Sequence, residues 1–269
     1  MSADPSADVR ERQNRWTAVV LAASRGADDP MARHAGVLHK ATIEVGGVPM
    51  LRRVVQALAD SGRIGAIHVV IDDEDAARRA LGPALAERVR LLKPAASASA
   101  SVLKAVKAAG RAWPMLVTTG DLPFLSATAV RDFLSAAEAS AAALVIALAR
   151  REDVLAAFPT IQRTWMRLGG ESVTSCNMFA LKGESALAAV RFWQRAEKDR
   201  KRPWRIALSF GLLALVRLLL SRAGARAVVA EAGRRLGTTA DAVFVDDPRL
   251  AIDVDKPSDL ALARQVAGS

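Results

Sequence analysis

The sequence predicts one α/β domain built on a mostly parallel sheet, with a helical insertion in its C-terminal third. Three observations carry this. Short, continuously apolar runs alternate with amphipathic, helix-length segments from residue 17 to residue 149. The runs are apolar throughout rather than at every second position, as strands covered on both faces are. Two of them, ending at Ala22 and at Asp121, give way to loops that carry charge, and such sheets hold ligands beyond their carboxyl ends.

The elements follow in order. TAVVLA (17–22) is a buried strand. PMLRRVVQALADSG (49–62) is a helix with Pro49 in its first turn and Gly62 past its end. AIHVVI (66–71) is the second strand, 72–81 a short helix and VRLL (89–92) a short strand. SASVLKAVKAAG (99–110) is a helix with a serine-rich entry. MLVTTGD (115–121) is the third long strand. Residues 126–140 form a helix capped by Ser126, and AALVIALA (142–149) is a fourth strand. Beyond Arg150 the pattern loosens. TIQRTWMRL (160–168) and SVTSCNMFALK (172–182) suit a pair of strands. A helical stretch follows, broken near Pro203, and the chain closes with a strand, an acidic turn and a helix. The expected organisation is a frayed tail over 1–15 and one domain over 16–269, with the helical insertion at about 184–236.

Composition narrows the setting. Of 269 residues 51% are apolar, so a core needs no staples. The one cysteine, Cys176, rules out an internal disulfide framework and makes a reducing, cytoplasmic compartment the expectation. MSADPSADVRERQNR lacks the apolar core of a secretory signal. The net charge of +10 is concentrated: residues 191–226 hold ten Lys/Arg and two Asp/Glu. Nucleic acid is not an expected partner, because no recognition motif accompanies the basic segment and tyrosine is absent.

The chemistry-bearing residues cluster in three places. The loop after the first strand, LAASRGADDPMARHAGVLHK, is rich in small residues. Backbone N–H groups there suit phosphate oxygens, and Arg25 and Lys40 add positive charge. Asp121, at the end of a strand and before Leu-Pro-Phe, suits Mg²⁺, an ion that prefers oxygen ligands. IDVDKPSDL adds Asp253 and Asp255, which share a face if the segment is extended. The plain readings are an ordinary loop with solvated charges, a turn aspartate, and an Asp255 that merely opens the final turn. Cys176 reads as a small buried residue, Trp193 and Trp204 as packing, and His34, His39 and His68 are too dispersed for a zinc site.

Taken in order, VVLAAS-RG, HKATIEVGGVPMLRRVVQAL, SASASVLKAVKAA, VTTGDLPFLS and AIDVDKPSDLALA resemble the nucleoside-triphosphate transferase family. Its members include molybdenum-cofactor guanylyltransferases and sugar-phosphate and alcohol-phosphate cytidylyltransferases. The resemblance covers residues 16 to about 150 and about 240 to 265. It implies a Rossmann-like sheet of the nucleotide-sugar transferase type. It also implies a Mg²⁺-dependent transfer of a nucleotide from an NTP to a small phosphorylated acceptor, with release of pyrophosphate. Carried over, the triphosphate loop falls on Ala22, Ala23, Ser24 and Gly26, and the family lysine on Lys40. The metal aspartate falls on Asp121, and the late acidic motif on Asp253 or Asp255. Ser97, Ser99 and Ser101 match the entry where members hold base and ribose. Thr174, Ser175 and Asn177 lie where members often bind the acceptor. The loop departs from the pattern: Ser24-Arg25-Gly26 is leaner in glycine, and the usual Arg-Met-Gly is replaced by the longer Asp28-Asp29-Pro30-Met31-Ala32-Arg33. Two rivals stand beside this reading. One is a nucleotide-sugar glycosyltransferase on a related fold, which would need an Asp-x-Asp where this chain has one Asp. The other is a non-catalytic membrane-surface binding protein.

RAEKDRKRPWRIALSFGLLALVRLLLSR (195–222) joins the basic cluster to an apolar run. Only 206–216 is free of charge, and a helix needs about 20 residues to span a bilayer. The expected roles are a helix packed on the sheet or in a homodimer, or one lying on an anionic membrane surface. The second would suit an enzyme activating a lipid headgroup precursor at the inner face of the membrane.

Overall fold

The computed structural model describes residues 15–24, 28–198 and 223–268. The expected N-terminal tail, apart from Arg15, and most of the basic apolar segment lie outside those residues, as do Arg25 and Gly26.

Strand β1 (Trp16–Leu21) is buried along nearly its whole length and sits in the centre of the sheet. After it come α1 (Pro30–His34), a 3-10 turn (Lys40–Thr42) and the small hairpin β2 (Glu44–Val45) and β3 (Val48–Pro49). None of these was read from the sequence, since each is too short to show a period. Helix α2 (Met50–Asp60) follows, with Pro49 as its N-cap rather than inside its first turn. It buries Met50, Leu51, Val54, Val55 and Leu58 along one face.

β4 (Ile64–Val70), α3 (Glu74–Leu81), α4 (Pro83–Ala86) and β5 (Val89–Leu92) come next. Gly82, at φ 72°, stops α3 where an L side chain would be strained. α5 (Ala98–Ala108), β6 (Met115–Thr119), α6 (Ala127–Ala139) and β7 (Leu144–Arg150) match the expected alternation to within a few residues. α7 (Arg151–Ala157) was not expected. Of the two later strands, β8 is only Met166–Leu168, while β9 (Glu171–Leu181) is long. Among the described residues of the helical region are a 3-10 turn, α8 (Leu187–Lys198) and α9 (Gly224–Arg235). β10 (Ala240–Phe244) and α10 (Pro257–Gly268) complete the chain.

The sheet order is β10-β7-β9-β6-β1-β4-β5, with β8 paired to β9. All of these pairings are parallel except those of β9, which runs against β6, β7 and β8. The mostly parallel sheet is therefore as expected. β9 is the exception: it runs against both of the strands that flank it, β6 and β7. One core face packs Val20, Ile67, Val69 and Leu116 under α2, α3 and α6. The other packs Val19, Val70 and Val117 under α5 and α8. β1 lies between β6 and β4, so the connections leave it on both sides, and the carboxyl ends of β1, β4, β5 and β6 open on one rim. Residues 252–255 belong to no strand, and Lys256 opens a bend. The strand geometry that would place Asp253 and Asp255 on one face is therefore not what positions them.

Candidate active site

A cavity of about 750 Å³ occupies that rim. The ends of β1 (Leu21, Ala23, Ser24), β4 (Val70), β5 (Pro94 to Ala98) and β6 (Thr118, Thr119, Asp121) line it, with Lys40, Asn177 and Asp255. Residues more than two hundred positions apart in sequence thus meet where the parallel strands end.

Lys40 is the centre of its charge. Its Nζ lies 2.7 Å from Asp121 Oδ2 and 2.8 Å from Asp255 Oδ1. Burial pulls the ammonium pKa down, but the charges of Asp121 and Asp255 and their hydrogen bonds outweigh it and hold it above the ordinary lysine range. Asp255 arrives because the Val254 N–H donates to the Asp121 carbonyl at 3.1 Å. Asp259 Oδ2 fixes the turn by accepting from the N–H groups of Asp255 and Lys256 at 3.1 and 2.9 Å. Asp121 reaches the cavity because Gly120 lets the end of β6 close on β1. A Cβ at position 120 would stand 2.9 Å from the Ala22 Cβ.

The other predicted residues divide. Ala23, Ser24, Ser97, Ser101 and Asn177 line the cavity. Ala22 does not, and its N–H donates to the Val70 carbonyl at 2.9 Å, so that donor belongs to the sheet edge. The Ser24 N–H is also engaged, by Asp72 Oδ1 at 2.8 Å. Ser97 caps α5, and Ser101 Oγ accepts from the Ala95 N–H at 2.9 Å, which shapes the turn before the helix. Ser99 is fully buried and donates to Glu197 instead of lining the cavity. Thr174 is buried at its pairing with Ala149, and Ser175 lines an apolar hollow beside the site; neither is part of the cavity.

Asp253 departs from the expectation of a metal ligand. Its carboxylate is buried, paired with both terminal nitrogens of Arg163, and accepts from Asn177 Nδ2 at 2.9 Å. A carboxylate so neutralised is a structural anchor, and Asp255 is the member of the pair that faces Lys40. Cys176 is buried, and burial pushes its thiol up to about 12, which removes it as a nucleophile at neutral pH.

Several residues at the site escaped the sequence reading. His39 is buried; its Nδ1 accepts from the Ala41 N–H at 3.0 Å, and its Nε2 lies 3.3 Å from Asp72 Oδ1. Asp72 therefore ties the loop at Ser24 to the turn that presents Lys40. The available signal was position: like Asp121, Asp72 follows the end of an apolar strand. Trp193, assigned to packing, is 38% exposed at the cavity wall.

The site also contains unsatisfied groups. Asp121 Oδ1 and the hydroxyls of Thr118 and Thr119 are buried without a hydrogen-bond partner among the described residues, and all three residues line the cavity. Buried polar atoms ordinarily have a hydrogen-bond partner, so these three suit a polar ligand or water in the cavity. A Rossmann-like sheet with a lysine between two carboxylates at its switch point suits a ligand bound beyond the carboxyl ends of the strands. The chain belongs to the family of the MobA-like NTP transferase domain, whose profile matches residues 18–236. It is thus an enzyme of the nucleotidyltransferase kind.

Solved structures agree. A hypothetical transferase from Thermus thermophilus is 33% identical over 91% of this chain and 99% of its own, with a TM-score of 0.71. A 4-diphosphocytidyl-2C-methyl-D-erythritol synthase from Anaerococcus prevotii is 14% identical over 96% of this chain and 100% of its own, with a TM-score of 0.60. A nucleotidyl transferase from Methanothermobacter thermautotrophicus is 20% identical over 94% of this chain and 98% of its own, with a TM-score of 0.55. The last two are similar in fold. No curated protein matches the chain.

Proposed function

We propose that the protein transfers a nucleotide from an NTP to a small phosphorylated acceptor and releases pyrophosphate, with Mg²⁺ as cofactor. The observation that supports this best is Lys40, held between Asp121 and Asp255 on the cavity rim. The residues fit Mg²⁺: Asp121 has a buried oxygen without a partner among the described residues, Asp255 is largely exposed, and one or two carboxylates plus substrate phosphates are its usual ligands. Asp121 and Asp255 would hold the ion, which when bound offsets phosphate charge.

The protein's own part is positioning and electrostatics. Lys40 donates to phosphate oxygens and offsets the charge that builds as the triphosphate divides. Asp72 and His39 keep the loop and the lysine in register. The turn at Ser97 to Ser101 receives the nucleoside. An acceptor phosphate oxygen attacks the α-phosphorus in line. A new P–O bond forms as the bond to the bridging oxygen breaks, and pyrophosphate leaves with that electron pair. Arg25 would add charge from the loop. A homodimer and a membrane-surface role for residues 195–222 remain part of this proposal and rest on charge and hydropathy alone.

The test is pyrophosphate release, measured with each of the four NTPs against a panel of sugar, alditol and alcohol phosphates. Acceptor-dependent pyrophosphate with one NTP supports the reading. Release of a nucleoside diphosphate from a nucleotide sugar, with no pyrophosphate from any NTP, overturns it in favour of a glycosyltransferase.

A further inference from the structure

Helix α8 brings two side chains to the cavity that the nucleotide site described so far does not use. Trp193 and Glu197 are four residues apart, so they share one face of the helix. Both line the cavity together with the turn from Pro94 to Ser101. The Trp193 ring is 38% exposed, and its centroid lies 6.4 Å from that of Phe179, with the planes 31° apart. Phe179 also lines the cavity and braces the indole from within the sheet. The Glu197 carboxylate accepts a hydrogen bond from the buried Ser99 hydroxyl, and Ser99 Oγ lies 3.0 Å from Ser97 Oγ, the cap of α5. This glutamate is thus oriented by a buried partner on the helix that opens the cavity.

The charges then divide the cavity. Lys40 gathers Asp121 and Asp255, whereas Glu197 gathers the serines of α5. Asp121 and Asp255 share the charge of Lys40, whereas Glu197 is held by a neutral hydroxyl; a carboxylate so placed repels a triphosphate and belongs with the neutral end of the substrate. We infer that Trp193 and Glu197 form the second wall of the nucleoside subsite. The indole stacks on the base, and the carboxylate accepts hydrogen bonds from the nucleoside, either from base N–H groups or from ribose hydroxyls. Stacking on an aromatic ring tolerates any base, because every base has a π face, so selectivity falls to the carboxylate. The inference rests on the nucleotidyltransferase reading.

The experiment is calorimetric titration of the full chain with the four Mg–NTPs, their 2′-deoxy counterparts and inorganic tripolyphosphate. It compares wild type, Trp193→Ala, Trp193→Phe and Glu197→Gln, each checked by its melting curve. Trp193→Ala should weaken the preferred NTP about tenfold, in the range of one lost base stack, and Trp193→Phe should restore most of it. Tripolyphosphate, which has no nucleoside, should bind all four proteins equally. Glu197→Gln should also weaken the preferred NTP. If its effect vanishes with the deoxy substrate, the donor is the ribose; if it flattens the preference among bases, the donor is the base. Unchanged NTP affinity in both variants, or a parallel loss of tripolyphosphate affinity, overturns the inference and leaves the nucleotidyltransferase reading standing. A wild type that binds tripolyphosphate but no NTP overturns both.

Discussion

Asp253 and Asp255 are two residues apart and do different work. Asp253 is buried against Arg163 and Asn177, whereas Asp255 is 62% exposed at its side chain and reaches Lys40. Asp253→Asn should therefore lower stability by about 3 kcal/mol, since it leaves the Arg163 charge buried and unpaired. Asp255→Asn should leave the melting temperature nearly unchanged and reduce transfer. Denaturant unfolding and pyrophosphate release on the two variants separate the roles. The opposite pattern would return Asp253 to the metal site. Asp121→Asn should keep the fold and abolish measurable transfer at saturating Mg²⁺. Lys40→Ala should weaken triphosphate binding more than monophosphate binding; equal loss for both would make Lys40 structural.

His68 has a consequence of its own. It is buried in β4 with no partner for Nδ1 among the described residues, and burial first, then Arg90, lowers its pKa from the ordinary 6.5. The neutral ring is thus favoured in the folded state. As pH falls below 6.5 the unfolded chain takes up the proton first, so stability declines until the folded-state pKa is passed. Above 6.5 both states are neutral at this site and it contributes no slope. Chemical denaturation between pH 7.5 and about 5 should show this loss, and His68→Leu should flatten it.

At the scale of elements, the long strands and amphipathic helices were legible because their burial is written as a period. β4, β6, α5 and α6 appear within a few residues of expectation for that reason. The elements that present the chemistry were not legible. The turn bearing Lys40 has three residues and is capped by a histidine side chain that also contacts Asp72, 33 positions away. No local pattern encodes such a bond. β8 shrank to three residues because only Met166 to Leu168 pairs with β9. Packing between elements sets a further test. Gly233 on α9 lies against β10, and an added Cβ would stand 2.6 Å from the Ala240 Cβ and 2.7 Å from its N. Gly233→Ala should cost about 1–3 kcal/mol in equilibrium unfolding, because the backbone of β10 cannot give way as a side chain does. No loss would mean that α9 rides further from the sheet.

For the molecule as a whole, the charge map carries the remaining expectation. Residues 191–226 hold a net charge of +8, ten Lys/Arg less two Asp/Glu, out of the total of +10. Among the described residues no helix is long and apolar enough to cross a membrane. If residues 195–222 meet an anionic surface, each Lys or Arg there contributes about 1 kcal/mol, and salt screens it. Co-sedimentation with anionic vesicles should then be strong at low salt and weak at high salt. Replacing Lys198, Arg200, Lys201 and Arg202 with Gln should abolish it while NTP affinity persists. No binding to anionic vesicles at low salt would refute the membrane role.

The sequence by itself determined the alternation of strands and helices, the parallel sheet that this implies, and the identity of Lys40 and Asp121 as candidates. Those features depend on local periodicity, on strand ends and on motif order, all of which a linear chain displays. Only the tertiary structure decided that Asp255 rather than Asp253 meets the lysine, that Ser99 turns inward to Glu197, and that Asp72 and His39 join the loop to the lysine. Each of these depends on which side chains a crossover brings within about 3 Å of one another, and β1 at the switch point assembles them from segments that the sequence keeps far apart.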